Sequence, residues 1–359
     1  MRVIVTTYWN VKLGGETAIA QQIAQAAQLL QQGETVAFPT ETVYGLGADA
    51  TNTKAVEHIF TAKGRPSDNP LIVHIAGTEQ LASLVQADCI TPDHQKLMAA
   101  FWPGPLTIVL PVLAGSLSPL VTAGLNTVGI RIPDHPVALQ LLREVNLPIA
   151  APSANSSGRP SPTLASHVRD DLDGRIGGIV DGGATGVGVE STVVQFVDGE
   201  LFVLRPGGVT AEQMQVILPD ICIHTSEPTE VEASQTPRAP GMKYTHYAPK
   251  GTMYIVQGED EQAVAARIQA DIDAAKARGE STGVLTFEER VNWYRADLIL
   301  ACGSLAQPDT IARELYAALR TFDERGISYI AAEGVPATGI GQAIMNRLLK
   351  AAGHEQIRV

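Results

Sequence analysis

The feature that most constrains the fold is a break in the sequence pattern between Pro219 and Pro249. On both sides of this break, short apolar runs alternate with segments whose apolar residues recur at helical spacing. Within it, Thr, Ser, Glu and Pro accumulate without a period. With 359 residues, the chain is long enough to bury a core on each side. We therefore predict two α/β domains, at residues 1–218 and 251–359, joined by a linker at residues 219–250.

The first domain is predicted to be a twisted, mixed sheet with flanking helices, because its strands and helices interleave. Thr53 is the predicted cap of the second helix, and residues 40–47 are predicted to form a turn-rich loop. Predicted helices cover residues 16–32, 53–62, 79–86 and 136–145, and predicted strands cover residues 1–10, 35–39, 71–75, 106–110, 127–133, 147–151, 178–181, 191–196 and 201–204.

The second, smaller domain is predicted to hold a parallel, doubly wound sheet. Its strands are separated for the most part by helices, and this alternation is typical of parallel strands joined by crossovers. The predicted strands are residues 252–256, 283–287, 298–302 and 328–332, and the predicted helices are residues 260–278, 310–323 and 341–352.

Composition and charge narrow the class of protein. A net charge of −12 argues against a chain that mainly coats nucleic acid, although it leaves room for a local basic pocket. Cys89, Cys222 and Cys302 have no paired spacing, which favours buried thiols in a reducing compartment. The first ten residues are too short and polar for a signal peptide, and Pro111 interrupts the longest apolar run. We expect a cytoplasmic protein.

Familiar catalytic and nucleotide-binding fingerprints are absent from the sequence. There is no Gly-Lys pair and hence no P-loop, and two glycine-rich stretches, residues 186–191 and 339–344, lack the third glycine of a dinucleotide fingerprint. The sequence also contains no Gly-x-Ser-x-Gly elbow, no His-Glu-x-x-His and no cysteine nucleophile with a local partner motif. The chemistry must therefore come from residues that are dispersed along the chain.

Residues 63–74 are the sharpest local candidate for a binding loop. Lys63 and Arg65 lie among one glycine and two prolines, directly before an apolar run that ends at His74. Cations on a stiff loop beside a strand suit a phosphate chain, whereas the alternative is a solvated basic loop. His74 is either a histidine satisfied in the core or a ligand contact.

Other strand ends offer hydroxyl groups and single cations. Thr127 and Arg131 lie four residues apart on one strand, so their side chains share a face. Arg131 is costly to bury without a partner, and its alternative is a strand-edge position that faces water. In an open α/β sheet, ligands bind at the carboxyl ends of the strands. Residues at such ends include Thr40, Thr42, Ser153, Asn155, Ser156, Ser157, Ser161, Ser191, Thr192 and Arg205, although a Ser/Gly/Asn cluster is often a plain turn.

Two features of the sequence leave more than one interpretation open. Glu41, Asp68, Asp181 and Glu190 could hold Mg²⁺ directly or through water, but no spacing selects among them. Residues 239–249 read APGMKYTHYAP, with more aromatic residues than a passive linker carries. We expect this segment to dock against something rather than to act as a passive linker.

Taken together and in this order, the motifs resemble the Sua5/YrdC/YwlC family, specifically its two-domain Sua5 branch. The resemblance spans nearly the whole chain and rests on PTETVYGL at 39–46, KGRP at 63–66, NPL at 69–71, RIP at 131–133, APSAN at 151–155, ESTV at 190–193, LRPG at 204–207 and PGMKY at 240–244. It implies a YrdC-like catalytic domain with a concave, positively charged cavity, followed by a Rossmann-like Sua5 domain.

The resemblance also implies an activity, that of an L-threonylcarbamoyladenylate synthase, a nucleotidyltransferase. Such an enzyme condenses L-threonine, bicarbonate or CO2, and ATP with Mg²⁺, giving threonylcarbamoyl-AMP and pyrophosphate. A downstream machinery then transfers the threonylcarbamoyl group to tRNAs that read codons beginning with A, and transient binding of tRNA itself is an open expectation. The alternatives are a module that binds double-stranded RNA and an adenylating enzyme that uses carbamoyl phosphate.

Site residues follow by resemblance, position by position. Lys63 and Arg65 are the expected catalytic residues, acting near the phosphates, and Asn155 is expected to hold the loop. The expected L-threonine contacts are Thr42, His74, Arg131, Ala151 and Ser191, and the expected ATP contacts are Arg65, Asn69, Thr127, Ser153, Ser161, Arg205 and His246. No covalent intermediate is required, so positioning and electrostatics would supply most of the catalysis, with the aromatic linker as a lid that excludes water.

Overall fold

A computed structural model describes residues 4–225 and 247–359. The described chain forms two compact α/β units. Unit 1 contains most of the chain up to residue 225. Unit 2 contains residues 247–359 together with the short segments Gly158–Ser161 and Val187–Val189. Each unit has its own sheet, as the break in the sequence pattern predicts.

Unit 1 is built on an eleven-stranded mixed sheet, in agreement with the predicted fold class. Its strand order is β1-β8-β2-β3-β7-β4-β6-β5-β9-β10-β11, and both parallel and antiparallel ladders occur. The strands are β1 Thr7–Asn10, β2 Val36–Pro39, β3 Tyr44–Asp49, β4 Ile72–His74, β5 Leu106–Pro111, β6 Thr127–Arg131, β7 Ile149–Ala150, β8 Gly178–Asp181, β9 Thr192–Val197, β10 Glu200–Arg205 and β11 Ile223–His224.

Helices cover both faces of much of this sheet. The larger core includes the helix α2, and a second core lies under α1 and α5. The helices are α1 Glu16–Gln31, α2 Thr53–Lys63, α3 Pro92–Phe101, α4 Pro119–Thr122, α5 Pro136–Val145, α6 Ala165–Leu172 and α7 Ala211–Ile217, with 3₁₀ turns at Thr78–Ser83 and Ala87–Cys89.

Strand alternation decides which residues reach the functional face of the sheet. Val73, Ile108 and Ile130 point into the larger core. Their neighbours along the strands therefore point to the opposite face. On that face Ile72, Val109 and Val193 form a small separate apolar cluster. Across β4, β5, β6 and β9 this face therefore has room for polar side chains, whereas across β2, β7 and β8 the second core covers it.

The predicted loop at residues 40–47 is wrong in its second half, because residues from Tyr44 onward form β3, which pairs antiparallel with β2. Its glycines suggested turns, but Gly47 serves close packing instead. A Cβ at Gly47 would lie 2.8 Å from Phe38 Cε1 and 2.9 Å from Ile149 Cγ2. The predicted cap Thr53 is also wrong. Asn52 caps α2 by accepting hydrogen bonds from the amides of Lys54 and Ala55.

Three further local predictions differ from the structure. The helix predicted at residues 79–86 is the short 3₁₀ turn Thr78–Ser83. The sequence pattern did not indicate α3, α6 or α7. The predicted linker from residue 219 onward includes β11, which pairs parallel with β10 of unit 1. A two-residue strand is too short to show a period.

Unit 2 holds a five-stranded sheet whose ladders are all parallel, as predicted. The strand order is β14-β13-β15-β12-β16, and the short β16 was not predicted. The strands are β12 Thr252–Gln257, β13 Thr282–Thr286, β14 Leu298–Ala301, β15 Tyr329–Glu333 and β16 Gln356–Arg358, and the helices are α8 Glu261–Ala277, α9 Pro308–Glu324 and α10 Gly341–Ala351, with a 3₁₀ turn at Glu288–Trp293.

Tyr247 is the first described residue after the gap, and it belongs to unit 2. Its ring is buried and lies 5.0 Å from the ring of Tyr316 in α9. The guanidinium of Arg347 lies 5.9 Å from the centre of the Tyr247 ring. At this position, the aromatic motif before Pro249 docks as expected. Among the described residues, no helix is both long and apolar enough to cross a membrane.

Candidate active site

A row of polar side chains crosses the open face of the unit 1 sheet. His74 on β4 pairs in register with Arg131 on β6. One residue beyond the Ile108–Ile130 pair, Thr107 on β5 lies beside Arg131. Thr107 pairs with Val193 on β9, which pairs with Arg205 on β10. Because paired residues share a face, the ladder brings His74, Arg131, Thr107 and Arg205 to one level of the sheet.

Arg131 lies at the centre of this row and is buried. It donates hydrogen bonds to Oε1 of Glu41 at 2.5 Å and to Oγ1 of Thr42 at 3.1 Å. Its Nε has no hydrogen-bond partner among the described residues. Burial raises the pKa of Glu41, and the positive charge of Arg131 opposes that rise. A buried guanidinium that keeps an unused donor is suited to bind a carboxylate.

His74 adds a neutral imidazole to the row. The side chain is 4% exposed and stands edge-on to Phe38, with ring centres 6.2 Å apart. Burial, followed by repulsion from Arg131, lowers the pKa of His74 well below its usual range. Its Nδ1 has no hydrogen-bond partner in the described chain. A neutral ring can donate or accept a hydrogen bond, which suits a hydroxyl group.

Ser191 and Arg205 form the other end of the row. The hydroxyl oxygens of Ser191 and Thr107 lie 2.8 Å apart. Arg205 donates to the Ser191 carbonyl from Nη2 at 2.9 Å and from Nε at 3.2 Å, and to the Ser191 hydroxyl at 3.2 Å. Arg205 was predicted for the nucleotide, whereas the structure places it beside Ser191, a predicted threonine residue.

A second group of predicted residues lies further along the same strands. Gly129 pairs with Ile72, so Thr127 at the start of β6 is level with Pro70, which follows Asn69. Thr127 is therefore about 13 Å along the strand from Arg131. Arg65 donates to the Asn69 carbonyl at 3.4 Å. The Asn69 amide is 1% exposed, and both of its polar atoms lack a hydrogen-bond partner among the described residues.

Lys63 holds the loop that follows β7. Its ammonium donates to the carbonyl of Ser153 at 2.5 Å, to the carbonyl of Asn155 at 2.6 Å and to Asn155 Oδ1 at 3.4 Å. Ser153 Oγ in turn donates to Asn155 Oδ1 at 2.5 Å. Lys63 is 3% exposed. Its ammonium was expected to face phosphate, whereas in the structure it donates to these carbonyls. The expectation that Asn155 holds this loop agrees with its place in the cluster.

The remaining predicted residues lie in three different places. Ala151 lies between the two groups, and its amide donates to the carbonyl of Ile72 at 2.9 Å. Ser161 is fully buried in the segment that clusters with unit 2. His246 and most of the PGMKYTHYAP motif lie outside the described residues.

Three contacts of the row could not be read from the sequence. Thr107 carried no motif, and only the register between β5 and β6 brings it beside Arg131. Glu41 was a candidate Mg²⁺ ligand, whereas in the structure it pairs with Arg131. Thr40 supports Thr42, with their hydroxyl oxygens 2.8 Å apart. One indication of the pair between Glu41 and Arg131 was present in the sequence, since a cation buried in a strand requires an anionic partner.

Gly129 lies between the two groups of residues and places no side chain on this face of the sheet. A Cβ there would lie 3.0 Å from Thr107 Cγ2 and 3.7 Å from Ile72 Cγ1. The absence of a side chain therefore leaves room above the sheet between Thr127 and Arg131. A polar ligand could lie along this face with its two ends in different groups.

Unit 2 contains a cavity of its own, with a volume of about 690 Å³. It lies at the carboxyl ends of β12 and β15 and is lined by Gln257 and Glu333 among others. Glu333 accepts hydrogen bonds from Thr286, Arg290 and Tyr294. None of the described residues predicted for threonine and ATP lines this cavity.

Comparison with known proteins identifies the class to which this fold and site belong. The Sua5_yciO_yrdC family model, described as "Telomere recombination", matches residues 28–207. A second model, described as "Threonylcarbamoyl-AMP synthase, C-terminal domain", matches residues 209–353. The chain belongs to the Sua5/YrdC/YwlC family, in its two-domain Sua5 form.

Relatives from three domains of life resemble the chain over nearly its whole length. The threonylcarbamoyl-AMP synthase of Bacillus subtilis is 54% identical, covering 98% of this chain and 99% of the relative. The protein of the same name from Pyrococcus abyssi is 45% identical, covering 94% and 96%. The one from Schizosaccharomyces pombe is 41% identical, covering 92% and 88%. The crystal structure of P. abyssi Sua5 complexed with L-threonine has a TM-score of 0.89 and 44% identity, covering 99% of this chain and 100% of that one.

Proposed function

We propose that the protein is an L-threonylcarbamoyladenylate synthase, a nucleotidyltransferase that acts in tRNA modification. It forms threonylcarbamoyl-AMP and pyrophosphate from L-threonine, bicarbonate or CO2, and ATP. The observation that carries this proposal is the buried Arg131, with an unused donor beside the neutral His74, on an open sheet face. The relatives that match the whole chain are named for this activity, and one of them is described in complex with L-threonine.

The row accounts for recognition of an amino acid. Arg131 binds the carboxylate with the donors that Glu41 and Thr42 leave unused. The imidazole of His74 forms a hydrogen bond with the threonine hydroxyl. Because Glu41 neutralises Arg131 in the absence of ligand, the buried guanidinium does not stand unpaired before threonine binds.

The second group, which contains Arg65, Asn69 and Thr127, is proposed to bind the nucleotide. Asn69 offers an amide whose buried polar atoms need partners, and Arg65 beside it supplies a cation. Lys63 keeps the carbonyls and hydroxyl of the 153–155 loop in place and acts by positioning in this arrangement. Thr127 and Ser153 provide hydroxyls at the same level of the sheet.

The chemistry needs no nucleophile from the protein. The threonine amine attacks CO2 or dehydrated bicarbonate and loses a proton, which gives an N-carboxylate. One oxygen of that carboxylate attacks the α-phosphorus of ATP, and pyrophosphate leaves. The two groups of residues lie about 13 Å apart along the strands, so ATP bound at one group can direct its α-phosphorus toward threonine bound at the other. Orientation and charge stabilisation then supply the rate.

Mg²⁺ is proposed to arrive with ATP, bound chiefly by phosphate oxygens. Two of the four candidate carboxylates have other contacts: Glu41 pairs with Arg131, and Asp181 pairs with Lys12. Within the described ranges, the clustered metal-ligand side chains are Glu200, Cys222 and His224 at β10 and β11, and none of them is a predicted Mg²⁺ or ATP residue. These contacts favour a Mg²⁺ ion that is bound to ATP over one that is held only by protein carboxylates.

We also propose a cellular context for this reaction. The product would be consumed by a machinery that transfers threonylcarbamoyl to tRNA, with or without direct contact between this protein and tRNA. We place the reaction in unit 1, in the domain predicted at residues 1–218, and in the cytoplasm. The contact between His246 and ATP belongs to the same proposal.

Pyrophosphate release tests the function. Release should require ATP, L-threonine and bicarbonate together, and omission of any one should abolish it. An enzyme that uses carbamoyl phosphate would release pyrophosphate with that donor in place of threonine and bicarbonate. Affinity for duplex RNA with steep salt dependence and no turnover would instead identify an RNA-binding module.

A further inference from the structure

We propose that Glu200, Cys222 and His224 form a Zn²⁺-binding site at the edge of the unit 1 sheet. Among the described residues, these three offer ligand atoms that all lie within 4.8 Å of one another. The site is independent of the proposed synthase activity. Arg205, at the opposite end of β10, is five residues from Glu200, about 17 Å along the strand.

The register between β10 and β11 creates the cluster. Leu201 pairs with Ile223 and Phe202 pairs with His224, in a parallel ladder. The Leu201 amide also donates to the Cys222 carbonyl at 2.9 Å. Leu201 and Ile223 face the core. Alternation therefore turns the side chains before and after them, on both strands, to the same outer face.

The ligand atoms are close to a metal-binding arrangement. His224 Nε2 lies 2.9 Å from Glu200 Oε2. In a tetrahedral zinc site with N and O ligands at about 2.05 Å, the two atoms are about 3.3 Å apart. A small separation of the pair would admit the ion. The imidazole is stacked on Phe202, with ring centres 4.4 Å apart and planes 13° from parallel, so the sheet limits its rotation.

The ligand atoms of Glu200, Cys222 and His224 favour one type of metal ion. A thiolate excludes Mg²⁺ and Ca²⁺, which prefer oxygen, whereas one sulfur, one imidazole nitrogen and one carboxylate oxygen suit Zn²⁺. Cys222 is exposed, so its thiol is accessible to an ion from solution. Three protein ligands leave a fourth position for water. Such an ion would fasten the two-residue edge strand β11 to β10.

Titration of the metal-free, untagged full-length protein with Zn²⁺ and with Co²⁺ tests the proposal. We expect one equivalent of Co²⁺ to produce the absorption of a tetrahedral site, including sulfur-to-cobalt charge transfer, and Zn²⁺ to abolish it by displacement. Cys222→Ser should remove the charge-transfer band, and His224→Ala should weaken Zn²⁺ binding tenfold or more.

Cys89→Ser is the matched control, because Cys89 is also partly accessible but lies in a 3₁₀ turn far along the chain. Its titration should match that of the wild-type protein. Absence of a charge-transfer band in the wild-type protein would overturn the proposal. A band that persists in Cys222→Ser, or that disappears in Cys89→Ser, would overturn it equally. Since Ser replaces an exposed Cys, loss of fold does not confound the test.

Discussion

At the scale of residues, the candidate site depends on how one buried cation is paired. Arg131 keeps two hydrogen bonds within the protein, to Glu41 and Thr42, and an unused Nε. The sequence alone indicated that a cation in this strand needs a partner or water. It could not name Glu41, because ninety residues separate the two and the pairing depends on the fold.

Arg131→Lys should impair threonine binding more than ATP binding. The lysine keeps the positive charge but cannot form the planar, forked contacts of a guanidinium. We expect the KM for L-threonine to rise by roughly 10- to 100-fold, with a much smaller change for ATP. Steady-state pyrophosphate release measures both constants. Arg175→Lys, at an exposed position of unit 1, is the control, and equal effects on both substrates would contradict the carboxylate-binding role.

His74→Gln should reduce the loss of stability that accompanies mild acid. The folded-state pKa of His74 lies well below the value of about 6.5 expected in the unfolded chain. Between those two values the unfolded chain binds more protons, so the free energy of unfolding falls as the pH falls below about 6.5. The contribution of His74 between pH 7.5 and 5.5 is on the order of 1 kcal/mol.

Urea unfolding at the two pH values measures this difference. The wild-type protein should lose on the order of 1 kcal/mol more than His74→Gln. His58→Gln, at an exposed position of α2, should behave like the wild-type protein. If His74→Gln loses as much stability in acid as the wild-type protein, His74 is not held neutral by burial.

At the scale of elements, strand register explains what the motifs could not. Many of the helices and strands were predictable, because apolar periodicity determines their existence. The row from His74 to Arg205 was not, because it depends on how β4, β6, β5, β9 and β10 align. Likewise, the glycines at 45 and 47 looked like turn residues, and only packing shows why a strand needs them: a Cβ at Gly47 would clash with Phe38 and Ile149, and one at Gly45 would crowd Ala151.

Lys63→Met should reduce both turnover and stability, because the ammonium joins the end of α2 to the loop after β7. The methionine keeps the aliphatic stem but leaves the carbonyls of Ser153 and Asn155 without their donor. We expect a loss of about 1–3 kcal/mol in stability and a roughly 100-fold lower kcat. Chemical denaturation and pyrophosphate release measure the two effects.

Lys54→Met, on the exposed face of the same helix, is the matched control and should change neither quantity. A Lys63→Met protein with normal stability and strongly reduced turnover would show that the ammonium contacts the substrate directly. Normal values of both quantities would exclude either role for Lys63.

At the scale of the whole molecule, two units with separate sheets share one chain. The sequence break predicted this division, but β11 extends unit 1 beyond Pro219, and two short segments of the N-terminal half cluster with unit 2. Segments of three or four residues carry too little pattern to reveal where they pack. Unit 2 is stabilised in part by Glu333, which accepts hydrogen bonds from Thr286, Arg290 and Tyr294.

Glu333→Ala should destabilise unit 2 by about 3 kcal/mol, because it removes a buried partner of Arg290 and leaves two hydroxyls without their acceptor. Hydrogen exchange followed by mass spectrometry should show faster exchange in β13 and β15. Glu324→Ala, at the exposed end of α9, is the control. Unchanged exchange in those strands would show that the cluster does not support the sheet.

The central claim is that one sheet face binds threonine and ATP at two levels of the same strands. A crystal structure with L-threonine and a non-hydrolysable ATP analogue tests it most directly. We predict that the threonine carboxylate contacts Arg131 and that its hydroxyl contacts His74, with the nucleotide bound near Asn69 and Thr127. Threonine bound away from Arg131, or a nucleotide bound in the cavity of unit 2, would contradict it.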